Sequence, residues 1–476
     1  MSARNLAISK RGLTLGVALF LAGCASVTPQ QSIQAVNAAT GNFVGESVAL
    51  RATDPARADA REKVKSMLAA PLGQADAVKV MLLNSAAFQA LLAQGVADSA
   101  AAAQLGRIQN PSLSIERMTS AADIELTRVL SFGLLDILTL PQRNKIAEQA
   151  IDASHLQLAS TVVQAVANVK RAWVEAVAAE AAYHYAGQVM RSANASAELA
   201  ARMQRVGNLT VLARSSQQMY AADAAVNLAA AQHQRHKTRE GLIRLLGLRY
   251  DQQALFTLPK RLVMLPEAPR LVEEVNAQLV SARLDVRISA HQLTVAAKAQ
   301  GLGDVTSFTD IEWGIRRTST TERGDGAVAT SSGNEISIKL PLFNWGDLQR
   351  SRMAAQTLGA INAYEAAALM ASSEVREAYS AYRTAFDIAQ HYQQEIIPLR
   401  QRMSEENQYR YNGMMIGTLE LLADARMQVG VVQSALKATE QFWLAEAALG
   451  ESLISSPTAG FMLSGATASA ASAGGH

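Results

Sequence analysis

Cysteine is almost absent: one residue, Cys24, in 476. That excludes an internal disulfide framework and a thiolate metal cluster. Aromatic residues make up only 5% of the chain although apolar residues make up 49%. With alanine abundant, this mixture suits long helices packed through small side chains rather than a large aromatic core. Neither charge dominates, since 44 basic against 41 acidic residues leave a formal charge of +3. No polycationic surface for nucleic acid is therefore on offer. Beyond the N-terminal leader no stretch reaches the roughly 18 consecutive apolar residues of a membrane-spanning helix. If the chain crosses a membrane, it must do so as strands in a closed barrel, which satisfy their own backbone polar groups in lipid. Catalytic patterns are missing too: there is no G-x-S-x-G nucleophile elbow and no phosphate loop ending in Gly-Lys-Ser/Thr. His233 and His236 are three apart on a predicted helix, flanked by Arg235 and Lys237 with no carboxylate or cysteine to complete a metal set, and read as structural or solvated. No cofactor, metal or enzymatic activity is expected.

The lone cysteine has telling neighbours. Arg4, Lys10 and Arg11 form a basic leader before LTLGVALFLAG (13–23), an apolar run too short for a permanent spanning helix. A charged leader, a short apolar core and small residues before a cleavage point describe a secretory signal peptide over residues 1–23. Leu21-Ala22-Gly23-Cys24 resembles the lipobox of bacterial lipoproteins. The resemblance implies acylation of the Cys24 thiol at the start of the mature chain. An ordinary signal peptide that happens to contain a cysteine is the alternative. Ala25 follows, with no Asp to suggest inner-membrane retention, so an outer-membrane anchor is expected.

Proline spacing sets out the rest. None falls between Pro141 and Pro259, or between Pro341 and Pro398. The tract from Gln142 to Gly207 is predicted to be one helix of about 100 Å at about 1.5 Å per residue, a length that needs a bundle around it. Helical patterning resumes from Val211 to Gly247, and Pro259, Pro266 and Pro269 mark a connector over 248–269. The second half repeats the plan. DLQRSRMAAQ (347–356) answers LPQRNKIAEQ (140–149), and RYNGMMIGTLELLADARMQ (410–428) answers QRVGNLTVLARSSQQ (204–218), setting Gly413 against Gly207. Both offsets are 206–207 residues, which argues for internal duplication. The expected layout is an N-terminal lipidated segment (24–71), a first repeat (72–247), the connector, a second repeat (270–456) and a disordered tail (457–476). Shorter helices are expected at about 74–108, 211–247, 270–303 and 418–453, with Pro398 bending or interrupting the second long helix.

Two alternating segments precede each long helix. In the second half they are predicted at about 305–316 and 334–341. Ile311, Trp313 and Ile315 there share a face opposite Asp310, Glu312 and Arg316, and Ile336, Ile338 and Leu340 oppose Glu335, Ser337 and Lys339. The first half offers about 110–118 and 123–132, with Ile124, Leu126, Leu130 and Phe132 in phase and Arg128 interrupting that face. The polar, Gly-rich stretch 317–334 reads as an exposed hairpin tip. Period-two alternation with charge on one side suits barrel strands facing lipid over a wet lumen; a small soluble sheet is the alternative. Four strands cannot close a membrane barrel, whose smallest examples have about eight, so spanning strands require an oligomer.

NPSLSIE opening the first hairpin, LPLFNWGDLQRSRMAA closing the second and YNGMMIGTLELLADAR at the second helix-to-helix turn, in this order, resemble the TolC-type outer membrane factors. These are the exit ducts of tripartite efflux and type I secretion systems. The resemblance runs from about Leu72 to about Leu453, and the lipobox places it in the lipoprotein branch. It implies a mainly α chain with a small transmembrane β part, assembled as a homotrimer in which a twelve-stranded outer-membrane barrel continues as a long α-helical periplasmic tunnel. The implied partners are outer-membrane lipid, a periplasmic adaptor of the membrane fusion type and an inner-membrane pump of the RND type. The layout is similar to the branch serving heavy-metal efflux pumps, which makes heavy-metal cations the expected cargo. A periplasmic coiled-coil scaffold or adaptor lipoprotein without a pore is the alternative; it leaves the alternating segments unexplained.

By the same resemblance the adaptor-contact turns are Arg205, Gly207, Asn208 and Leu209, and Arg410, Gly413, Met414, Met415 and Gly417. Glycine lets the backbone turn between antiparallel helices, and exposed methionines suit an adaptable helix-binding surface. Glu420 and Asp424, four apart on one helical face, are expected to ring the closed periplasmic end as gate residues, with ordinary solvated charges as the alternative. Ile311, Trp313, Ile315, Ile336 and Ile338 are the expected lipid-facing side chains.

Overall fold

The computed structural model describes residues 27–271, 282–307, 310–324 and 326–457, the Asn42 side chain apart. The expected signal peptide, Cys24, residues 458–476 of the tail and residues 272–281 of the helix expected from 270 lie outside the described residues. Helices α1 (Pro29–Val44) and α2 (Asp54–Met67) occupy the N-terminal segment. Then come α3 (Gln74–Asn84), α4 (Ala86–Gln104), β1 (Ser112–Thr119), β2 (Asp123–Gly133), α5 (Leu134–Arg205), α6 (Val211–Leu246) and the short α7 (Tyr250–Gln253). The second half holds α8 (Leu284–Thr306), β3 (Ile311–Glu322), β4 (Val328–Ile338), α9 (Asp347–His391), a π-helical turn (Tyr392–Ile396), α10 (Ile397–Asn412) and α11 (Thr418–Ser452). No single helix among the described residues is long and apolar enough to cross a membrane.

The chain divides into two compact units. One combines the residues up to Val36 with Gln94–Leu158 and Asp285–Leu369, and it holds the sheet. Its four strands run in the order β1-β2-β3-β4, every neighbour antiparallel. Most of the stretch read as a hairpin tip is strand: β3 reaches Glu322 and β4 begins at Val328. The β-branched Thr318, Thr320, Thr321, Val328 and Thr330 carry the extension, and β2 pairs with β3 as far as Asp123 opposite Glu322. Polarity on both faces hid these residues from a reading based on alternation.

The two strand-to-helix passages also differ. α5 starts directly after β2 and contains Pro141, earlier than the start expected near Gln142. Loss of one ladder hydrogen bond near the helix start is a local cost that the rest of a 72-residue helix absorbs. Between β4 and α9, by contrast, lie Pro341 and Gly346, the latter at φ 72°. A Cβ on Gly346 would come within 2.6 Å of the Ser307 carbonyl oxygen, so only glycine fits.

The other unit combines Asn37–Ala93, Ala159–Leu284 and the chain from Met370. Val162, Val166, Val169, Trp173 and Val177 put a buried stripe of helical spacing on α5, and the Trp173 indole donates to the Leu72 carbonyl at 2.8 Å. From α9 and α11, Tyr382, Phe386 and Phe442 form an aromatic knot, with Phe442 centroids 5.6 Å from Tyr382 and 5.7 Å from Phe386. Fully buried Arg283 is satisfied by the Ala371 carbonyl (3.2 Å), the Ser452 carbonyl (2.9 Å) and Glu374 (2.6 Å). The π-turn falls just before Pro398: the Ile397 amide donates five residues back to the Tyr392 carbonyl. A proline cannot donate to the ladder, and the wider turn is the interruption expected there.

Candidate functional site

Strand pairing fixes which side chains share a face. Ile311 lies opposite Ile338, Trp313 opposite Ile336 and Phe132, and Ile315 opposite Leu130, which itself lies opposite Leu113. The Phe132 and Trp313 rings stack with centroids 6.1 Å apart. All five expected lipid-facing residues therefore join one apolar face, extended by Phe132, Leu130, Leu113 and Ile115. Ile115, Ile315, Ile336 and Ile338 are exposed in the single chain. An apolar face this continuous calls for a cover. Below it, Leu340, Leu342, Phe343 and Trp345 are exposed as well, Phe343 completely (100%). The sequence places Leu340 on the apolar face with Ile336 and Ile338, but the alternation gave no sign of Leu342, Phe343 and Trp345 as surface groups, although LPLFNW continues the apolar pattern past the strand.

The opposite face is polar and acidic. It carries Glu116 from β1, Asp123 and Glu125 from β2, Glu312 and Glu322 from β3, and Glu335 from β4. Its one cation is Arg316, paired with Glu335 at 3.0 Å. Thr127 and Thr318 hydroxyls meet at 3.1 Å, and Ser112 and Ser131 at 2.7 Å. Charge is thus segregated by face, because the only charged strand residues on the apolar side are Arg117, Arg128 and Arg317. Arg128, read as an interruption, keeps the same register as its apolar neighbours.

At the first helix-to-helix turn Gly207 takes φ 81°, its amide donates to the Gln204 carbonyl (3.0 Å), and the Asn208 amide donates to the Met203 carbonyl (2.9 Å). These paired bonds end α5 with a left-handed residue. Thr210 then caps α6 by accepting from the Ala213 amide at 3.2 Å. Arg205, Gly207 and Asn208 are exposed and Leu209 is half-buried.

The second turn repeats the backbone with other side chains. Met415 donates to the Arg410 carbonyl (2.8 Å) and Met414 to the Tyr411 carbonyl (3.0 Å), and the left-handed residue is Met414 at φ 58°. Gly413, expected to supply that freedom, has φ −78° instead. Gly207 therefore corresponds to Met414, one position later than the sequence match suggested. Met414 is 94% and Met415 72% exposed, with Arg410 and Gly417 also at the surface.

Glu420 is exposed, but Asp424 is only 3% exposed and does not project beside it. Arg400 on α10 holds the Asp424 carboxylate at 2.6 Å and also donates to its carbonyl, while Asn407 donates to the same carboxylate at 2.8 Å. Nearby, Arg426 donates to Gln217 on α6 at 2.6 Å and lies over the Tyr220 ring. No group of three or more His, Cys, Asp and Glu side chains converges among the described residues.

No family model and no curated protein matches this sequence. Solved structures do match its fold. A membrane protein from Pseudomonas aeruginosa is 17% identical with a TM-score of 0.65, over 82% of this chain and 93% of that one. CusC, whose structures concern transmembrane channel formation, is 16% identical with a TM-score of 0.64, over 83% and 92%. The outer membrane protein VceC from Vibrio cholerae is 15% identical with a TM-score of 0.64, over 82% and 96%. The chain has the fold of these outer-membrane and channel proteins.

Proposed function

We propose that the protein is the outer-membrane exit duct of a tripartite efflux system, passing substrates without catalysis from an inner-membrane pump and a periplasmic adaptor to the cell exterior. The observation that carries this reading is the sheet. It has one exposed apolar face, one acidic face and two open edges, β1 and β4; β2 runs directly into α5, and residues 339–346 lead from β4 into α9. Open edges are sites for further strand pairing. Three copies joined edge to edge supply a twelve-stranded barrel, with the apolar face toward lipid and the acidic face toward the lumen. Strand tilt supports this placement: Ile311 to Arg317 spans about 20 Å along the strand, or about 15 Å of membrane height at a tilt of about 40°. An arginine costs about 2–4 kcal/mol at the bilayer midplane and about 0–1 near the interfaces, which sets the arginine row at the outer border of the apolar band.

Six carboxylates against one arginine give the lumen a negative potential that favours cations, consistent with heavy-metal ions as cargo and an RND-type pump as partner. The two turns, with exposed Met414 and Met415, are the adaptor-contact surface. Glu420 is the exposed carboxylate available to line the closed end, and Asp424 holds the hairpin through Arg400. Cys24 is the lipid anchor. The shared turn geometry supports reading the two halves as a duplication. The test is a trimer that dissociates only on boiling, extracted from outer membranes, together with Trp313→Arg. That charge at the lipid face should cost about 2–4 kcal/mol and deplete the trimer. An undiminished trimer in the mutant would remove the lipid face from the account.

A further inference from the structure

The three arginines on the apolar face have no explanation in passive transport. Arg128 and Arg317 lie directly opposite each other on β2 and β3. Arg117 on β1 lies diagonally from Arg128, whose own partner is Ile115. Cross-strand neighbours sit about 4.5–5.5 Å apart and diagonal ones about 7–8 Å, so three long guanidinium side chains can converge on one patch. All three are exposed. Every carboxylate of the strands is on the other face, and no ion pair to Arg117, Arg128 or Arg317 occurs among the described residues. Like charges placed directly opposite are unfavourable unless an anion bridges them. The sheet supplies none, so the anion must come from the surroundings.

Guanidinium groups bind phosphate oxygens through paired N–H donors, and three of them around one patch fit a phosphate better than a carboxylate-bearing chain. Resting on the lipid-facing reading above, the patch lies at the level where the apolar face of β3 and β4 turns to Ser319, Thr330 and Ser332, with Leu126 and Ile124 of β2 continuing past it, and this level is that of the lipid head groups. We infer that Arg117, Arg128 and Arg317 form a site for the phosphate of a phosphorylated lipid head group in the outer leaflet.

The experiment uses the full-chain trimer in nanodiscs made with bis-phosphorylated lipid A or with its dephosphorylated counterpart. The wild type should resist thermal dissociation better with the phosphorylated lipid and retain it through purification. Replacing all three arginines by glutamine should reduce retained phosphorylated lipid at least tenfold, and Arg117→Gln alone should reduce it partly if the triple variant assembles poorly. Added inorganic phosphate should not displace the lipid, which distinguishes a head-group site from a free-anion site. Equal retention of both lipids, or retention unaffected by the substitutions, overturns the inference. A nitroxide on Trp313→Cys separates the two readings. If oxygen relaxes it and a water-soluble nickel chelate does not, the lipid face stands and only the phosphate site is at stake. If the nickel chelate reaches it, the lipid face fails and the site falls with it.

Discussion

The two helical hairpins solve one problem with different chemistry. An offset of 207 residues relates Gly207 to Met414, Asn208 to Met415 and Thr210 to Gly417, and both turns close with the same pair of backbone hydrogen bonds. Yet the first turn gives its left-handed position to glycine and the second to methionine. The same offset sets buried Ala193 and Gln217 of the first hairpin against Arg400 and Asp424 of the second. At these matched positions the first hairpin therefore has a small and a neutral side chain, whereas the second has a buried ion pair, in the same hairpin whose turn carries a strained, exposed methionine. A left-handed non-glycine residue costs about 1–2 kcal/mol and persists where the surroundings hold it. The second turn carries that strain where the account places contact with the adaptor.

The sharpest way to break the contrast is Arg400→Ala. It leaves Asp424 buried without its partner and should destabilise the second hairpin by about 3–5 kcal/mol, read by chemical unfolding or by loss of amide protection in α10 and α11. Adding Asp424→Gln, which installs the first hairpin's pair, should recover at least half of that loss. No recovery would mean the ion pair is not what distinguishes the two hairpins.

The turns themselves offer a smaller exchange. Met414→Gly should stabilise its turn and Gly207→Met should destabilise its own, each by about 1–2 kcal/mol. Met414→Gly should nonetheless weaken cross-linking to the adaptor, because the exposed side chain is gone. Gly413→Ala should be neutral, since a Cβ there meets nothing closer than the Tyr409 carbonyl oxygen at 3.5 Å.

The smallest effect concerns pH. Burial raises the Glu440 carboxyl above its ordinary value, with Glu175 adding to the rise and Lys437 opposing it. A carboxyl raised in the folded state binds more protons there than when unfolded, so its cost appears as pH climbs from the ordinary value of 4.5 through the raised one. Glu440→Gln should therefore be slightly more stable than the wild type at pH 8, and the advantage should vanish near pH 4.5. A thermal melting series across that range checks the sign.

Much of this was legible in sequence because period and punctuation are local. Proline-free alanine-rich tracts announced the long helices, and the alternation of Ile311, Trp313 and Ile315 announced the apolar face in its observed register. The end of β3 was not legible, since Thr and Ser follow Arg317 with nothing apolar before Glu322. Gly413 misled because glycine was read as the left-handed residue, and backbone hydrogen bonding decided otherwise. Arg400 and Asp424 lie equally far from Asn412 on the two arms of a hairpin, so their pairing was available to a reading that folded the turn first. The segregation of acids and arginines required the register of all four strands at once.

Closure of the sheet by other copies is the central claim, and disulfide scanning between the two free edges tests it most directly. Apart from Cys24 the chain has no thiol, so cysteines placed singly along β1 (112–119) and along β4 (328–338) can be combined in pairs. The account predicts that one register of pairs, on oxidation in outer membranes, yields a closed covalent trimer that survives boiling, while single cysteines do not. Absence of any β1-to-β4 cross-link between chains, with the trimer otherwise intact, would contradict it.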